Sequence, residues 1–189
     1  MRKINIAITG KMRSGKDTIA EYLVEKYGYK KFSFGGNMKK IADQLFGGIH
    51  KPSRSVYQKF AQLCREIDPD VWIKQVDKSI IYYKSMYKAF GAEDEISPIV
   101  ISDLRQPNEY DYCKRNWYFI VRVTTPEDVR IQRIYNLEPN ITEEEINHCT
   151  EGYVDNFKVD YEILNDGTIE DLFKKVDKMV EFISSLQLA

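Results

Sequence analysis

The stretch Gly10-Lys11-Met12-Arg13-Ser14-Gly15-Lys16-Asp17-Thr18 has the spacing of a loop that holds phosphate. Its glycines let the backbone curl around an anion, amide N–H groups can point inward, and a following helix presents its positive end. Gly10, Arg13, Ser14 and Gly15 form the curl, and Lys16 reaches the outer phosphates of a nucleotide as a point charge. Asp17 stands where a Ser or Thr usually helps to hold Mg²⁺. A carboxylate is also a hard oxygen ligand for Mg²⁺, and negative charge is favoured near a helix N-terminus. Thr18, one place later, still offers a hydroxyl. The competing reading is a glycine-rich turn between a strand and a helix, with a lysine facing solvent.

A second group follows an apolar run. Ile99-Val100-Ile101-Ser102 reads as a strand buried on both faces, and it ends in Asp103. An acid at that place is how a second carboxylate is presented on the Mg²⁺ side of a phosphate loop. Arg105 stands two residues on, and its planar fork suits two phosphate oxygens, unless it forms a surface ion pair with Asp103. Arg130 and Arg133 lie three apart on an expected helix and share one face. They could close over phosphates as a lid, or they could form a solvated helix face.

Alternating elements must position these groups. Strands are expected at Ile4–Thr9, Phe32–Phe34, Ile99–Ser102, Tyr118–Thr124 and Tyr161–Leu164. Lys16–Tyr27 has helical spacing, with Ile19, Ala20, Leu23 and Val24 on one face and Gly28 as a stop. Further helices are expected at about Asn37–Phe46, Ser53–Ile67, Pro69–Lys88, Pro107–Arg115, Pro126–Tyr135 and Ile169–Leu186. Leu137–Val159 is the most polar part. The alternation predicts an α/β fold, a five-stranded parallel sheet flanked by helices. The turn Asn165-Asp166-Gly167-Thr168 leads into the last helix, with Thr168 as a candidate N-cap.

The chain has 189 residues, which suits one domain with room for a small lid. A hydrophobic share of 43% supports a sizeable core. A net charge of −1 argues against a protein whose main work is to coat nucleic acid, while leaving room for a small anionic ligand. Cys64, Cys113 and Cys149 are scattered with no C-x-x-C spacing, as expected of reduced thiols in a cytoplasmic setting. No three-part signal peptide and no membrane-length apolar run is seen. With His50 and His148 alone, a histidine zinc site is not expected.

The run GKDT, then Asp103-Leu104-Arg105-Gln106-Pro107-Asn108-Glu109, then His148-Cys149-Thr150-Glu151 and Asp160-Tyr161-Glu162-Ile163-Leu164-Asn165 resembles the bacteriophage-type deoxynucleoside monophosphate kinases. The resemblance spans about Ile4 to Leu172 and is most specific in the first two motifs. Gln106 departs from it, since the family usually has Phe there. The resemblance implies a P-loop NTPase fold in a single domain over 1–189. An acceptor-binding helical insertion is expected at about 36–90, and a lid at about 130–152 containing His148 and Glu151. It implies ATP as phosphoryl donor, Mg²⁺ held by Asp17, Thr18 and Asp103, and a turn at Asn165 that packs against adenine. By position it makes Lys16, Arg105, Arg130 and Arg133 the catalytic cations. Lys39, Arg54, Gln62, Arg65, Trp72, Asp103 and Arg105 become the substrate-side candidates. Lys39, with Lys40, could equally be a solvated helix face, Arg54 an exposed residue and Trp72 a core residue. The implied partners are small-molecule nucleotides, with no nucleic acid and no membrane, and a homodimer is compatible. Two rival readings stand beside this one. One is a kinase of another phosphorylated metabolite, such as phosphomevalonate or dephospho-coenzyme A; the other is an ATP-binding switch without transfer.

Overall fold

The computed structural model describes residues 4–48, 50–139, 141–146 and 152–186. The elements in order are β1 (Ile6–Thr9), α1 (Lys16–Tyr27), β2 (Lys30–Phe32), α2 (Phe34–Phe46), α3 (Arg54–Ile67), α4 (Val71–Ala89), β3 (Ile99–Leu104), α5 (Pro107–Arg115), β4 (Phe119–Thr124), α6 (Glu127–Leu137), α7 (Glu143–Ile146), β5 (Tyr161–Leu164) and α8 (Ile169–Ser185). The chain divides into two compact units, Met1–Lys31 with Ser97–Ala189, and Phe32–Ile96. The insertion expected at about 36–90 falls inside the second.

The five strands form one sheet in the order β2-β3-β1-β4-β5. β1 pairs in parallel with both β3 and β4, and β4 pairs in parallel with β5. All four residues of β1 are buried, as a central strand requires. From β1 the chain passes to β2 on one side, and from β3 it crosses to β4 on the other, so the strand order reverses between β1 and β3, the switch point where α/β folds place ligands. The phosphate-loop residues begin there.

The first unit packs α1 and α8 against the sheet. Ile19, Ala20 and Leu23 of α1 are fully buried in one apolar cluster with Ile6, Ile8, Val121 and Val176. Each large aliphatic side chain in such a cluster contributes roughly 1.5–3 kcal/mol. Gly28 ends α1 with paired bonds: its N–H donates to the Val24 carbonyl, and that of Tyr29 to the Leu23 carbonyl. Beyond β4, Arg122 ties down the following segment. Its Nε donates to the Val154 carbonyl at 3.2 Å, its Nη1 pairs with Glu162 at 2.6 Å, and its Nη2 donates to the Phe157 carbonyl. Asp160 closes the β4–β5 pair by accepting the Ile120 N–H at 2.7 Å.

The second unit is built by α2, α3 and α4. Asn37 on α2 donates to the Gln75 carbonyl at 3.1 Å and to Ser79 Oγ at 2.9 Å, both on α4. Among the described residues no helix is long and apolar enough to cross a membrane. Cys64 and Cys113 are free thiols, and burial pushes the Cys113 thiol well above its ordinary pKa.

Two element assignments shift. The second strand is Lys30–Phe32, not Phe32–Phe34, and Phe34 opens α2 as a buried residue. Lys30 and Lys31 mask an edge strand, where charged side chains are at home. β3 runs to Leu104, so Asp103 lies inside the strand rather than after it.

Candidate nucleotide-binding site

The loop between β1 and α1 takes the shape its glycines permit. Gly10 has φ 143° and Gly15 φ 101°, both disfavoured for residues with a side chain. Space forbids a side chain as well. A Cβ on Gly10 would lie 2.3 Å from the Val123 carbonyl oxygen, and one on Gly15 would lie 2.5 Å from Asn165 Nδ2. Gly15 caps α1 without a side-chain bond, so the first N–H groups of the helix have no intrahelical acceptor.

Lys16 is 5% exposed, and its ammonium donates to the carbonyls of Gly10 and Lys11, each at 2.6 Å. Its charge is therefore held at the mouth of the curl. Asn165, at the end of β5, donates through Nδ2 to the Ser14 carbonyl at 2.9 Å, and Thr125 Oγ1 donates to the same oxygen at 3.1 Å. These two bonds fix the Ser14 carbonyl. Three buried polar atoms have no hydrogen-bond partner among the described residues: Thr9 Oγ1, Arg13 Nε and Ser14 Oγ. Arg13 and Ser14 lie on the loop and Thr9 ends the strand that leads into it, and orphaned buried polar atoms are rare enough that a bound anion is one account of them.

Around the loop, Arg130 is buried. Its Nε donates to Glu127 at 2.9 Å and its Nη1 reaches the Met12 carbonyl at 3.5 Å. The Arg130 guanidinium holds the Glu127 carboxyl below its usual range. Ile134, one turn further on α6, packs with Met12 and Ile146 in a small apolar cluster. Arg130 is thus enclosed beside Met12 of the loop, where the sequence suggested a lid face or a solvated one. Arg133 is half-buried on the same helix.

Asp17 is exposed in the first turn of α1, and its carboxylate pairs with Lys31 at 3.2 Å. Thr18 is half-buried beside it. Asp103 sits at an irregularity in the sheet. Ala7 pairs with Ile101 but Thr9 pairs with Leu104, so β3 spends one more residue than β1 over Ser102–Asp103. Such bulges re-aim side chains, and this one lies beside the loop. Asp17, Thr18 and Asp103 supply only hard oxygens, which suits Mg²⁺ arriving with phosphates and water. Among the described residues no cluster of three His, Cys, Asp or Glu could hold a metal by itself.

Glu109 closes the motif that begins at Asp103, and the sequence reading gave it no role of its own. It is buried, and its Oε2 accepts the backbone N–H groups of Arg105 and Gln106, each at 2.9 Å. With Gln106 it forms a capping box, and Pro107 opens α5. The Q-P-N-E spacing is the signal that could have found it. Glu109 fixes the backbone from which Arg105 projects. Glu109→Gln is expected to lower unfolding stability by about 1–2 kcal/mol, because one charge-assisted acceptor is replaced by a weaker neutral one. A urea titration with unchanged slope and a lower midpoint would register this.

The remaining candidates lie in the second unit. Lys39 is exposed on α2, Gln62 is exposed on α3, and Arg54 and Arg65 are half-buried at the first turn and the last turn of α3. Eleven residues separate the two arginines, which places them on nearly the same side of the helix, about 16 Å apart along its axis. Trp72 is 3% exposed, and its indole N–H donates to the Ala61 carbonyl at 3.2 Å, beside Phe60. It packs as core of that unit. His148 and Glu151 lie outside the described residues.

A family model described as an AAA domain matches residues 6–150. The chain belongs to this AAA domain family. No curated protein matches the sequence. Among solved structures, the AAA domain chain is similar to a sugar kinase from Janibacter sp. HTCC2649, with 15% identity, 95% of each chain covered and a TM-score of 0.56. It is similar to shikimate kinase from Acinetobacter baumannii in complex with shikimate, with 12% identity, 100% of this chain and 97% of that one covered, and a TM-score of 0.56. It is also similar to dephospho-CoA kinase from Campylobacter jejuni, with 15% identity, 97% and 98% covered, and a TM-score of 0.55. These likenesses are of fold: a five-stranded P-loop α/β domain carries the AAA domain's loop.

Proposed function

We propose that the protein transfers the γ-phosphoryl group of ATP to a deoxynucleoside or nucleoside monophosphate, giving the diphosphate. The observation that carries this reading is the loop at residues 10–16. Its Lys16 charge is held at the mouth, α1 begins without a side-chain cap bond, and two orphaned polar atoms lie on it with a third on the adjoining Thr9. The GKDT and Asp-Leu-Arg-x-Pro-Asn-Glu motifs supply the choice of acceptor.

In the step proposed, an ionised phosphate oxygen of the acceptor attacks the γ-phosphorus. The bond from that phosphorus to the β–γ bridging oxygen breaks, and ADP leaves with the electron pair. No base is needed, because the attacking oxygen carries no proton. The protein's task is to hold two anions in line and to neutralise their charge. The loop amides, Lys16 and Ser14 hold the donor. In this reading Arg105 and Arg133 would neutralise the transferred group, and Arg130 would act through the loop residue Met12 that it contacts. Asp17, Thr18 and Asp103 would hold Mg²⁺, which screens the phosphate charge when bound. The resemblance assigns the Asn165 turn to the adenine end, and its side chain holds the Ser14 carbonyl. Lys39, Arg54, Gln62 and Arg65 are the acceptor-side candidates.

An acceptor panel tests this. With ATP and Mg²⁺, ADP release is expected with one or more deoxynucleoside monophosphates, at least tenfold above that with shikimate, gluconate or dephospho-coenzyme A. Turnover confined to one of the latter would replace the acceptor. ATP binding without transfer to any of them would favour a switch.

A further inference from the structure

The loop carries two cations besides Lys16, and each is closed by a carboxylate from outside the loop. Lys11 Nζ lies 3.0 Å from Asp155 Oδ2, and Arg13 Nη2 pairs with Glu138 Oε1. Arg13 has φ 63°, a left-handed conformation uncommon for a residue with a side chain, and its buried Nε has no partner among the described residues. Both acids stand on supports. Glu138 caps α6, and its N–H donates to the Ile134 carbonyl at 2.9 Å. Asp155 lies between Val154 and Phe157, whose carbonyls are held by Arg122. Both acids also remain accessible to water, with side chains 28% and 59% exposed, so each can rehydrate if it loses its partner.

We propose that Glu138 and Asp155 are positioning residues that compete with phosphate for the loop. They hold Arg13 and Lys11 in ion pairs that a polyphosphate must exchange for its own oxygens, and in this way they set the affinity for the donor. This rests on the reading of the loop as the nucleotide site. A phosphate chain wins the exchange because it brings more charge than one carboxylate, and because its oxygens match the guanidinium fork. The affinity that remains is the difference between the two sets of contacts.

The test is calorimetric binding of tripolyphosphate and of ATP to the full chain, with Glu138→Gln, Asp155→Asn and the double variant. Dissociation constants are expected to fall about threefold for each single change and about tenfold for the double, the range open to exposed ion pairs. KM for ATP should fall with them while kcat does not rise. Glu138→Asp and Asp155→Glu should stay near the parent, and so should Asp68→Asn, whose pair with Lys74 lies in the second unit. Unchanged or weaker binding in Asp155→Asn overturns the proposal, and that exposed position keeps the test valid whatever Glu138→Gln does to folding. A parent protein that binds neither tripolyphosphate nor ATP would overturn the nucleotide reading itself, and this proposal with it.

Discussion

Lys16→Ala is expected to lower kcat/KM by on the order of a thousandfold, about 4 kcal/mol of transition-state stabilisation. The lysine ammonium is fixed by two loop carbonyls at 2.6 Å, so little of its position has to be found during the reaction. Charge arranged in advance, where phosphate oxygens become more negative, is worth far more than a mobile cation in water. The variant also exposes those carbonyls to the anion, which compounds the loss. A folded Lys16→Ala protein with turnover within about tenfold of the parent would remove Lys16 from the reaction. Circular dichroism on the same sample shows whether the fold survived.

Gly10→Ala is expected to be the most destabilising single methyl group in the first unit. Its φ of 143° is strained for alanine, and the added carbon would sit 2.3 Å from the Val123 carbonyl oxygen. That neighbour is backbone of a central strand and has no rotamer to change. Strain and overpacking together should cost about 3 kcal/mol or more. For a domain of this size that is a fall of roughly 6–12 °C in melting temperature. Gly48→Ala is a fair comparison, since nothing lies within 4 Å of a Cβ there and its φ is not positive. Equal melting points for the two variants would show that the loop yields more than its packing suggests.

What could be read in the sequence follows from how local the cause is. α1 runs from Lys16 to Tyr27 as the spacing predicts, because glycines bracket it and its apolar face repeats at helical intervals. α5 and β5 are equally plain, the first from Pro107 and the second from a short apolar run. The edge strand at Lys30–Phe32 was displaced because its first two residues are lysines, whose pairing depends on a neighbour and not on their own type. Arg130 could be read as a lid cation or as part of a solvated helix face, since spacing alone does not show that Met12 and Glu127 enclose it. The partner of Arg13 lies 125 residues away, beyond the reach of any periodicity. Trp72 could be read either way, and the donor bond to Ala61 places it in the interior of the second unit.

The carboxamide of Asn165 steadies a carbonyl that lies 151 residues earlier in the chain. During synthesis at 5–20 residues per second, that gap lasts roughly 8 to 30 s. For all of that time the glycine curl is already made but lacks its brace. A nascent chain would therefore complete this brace only after its last strand and the turn behind it had left the ribosome, and a product truncated before Asn165 is expected to hold a phosphate chain more weakly however well its opening residues had folded.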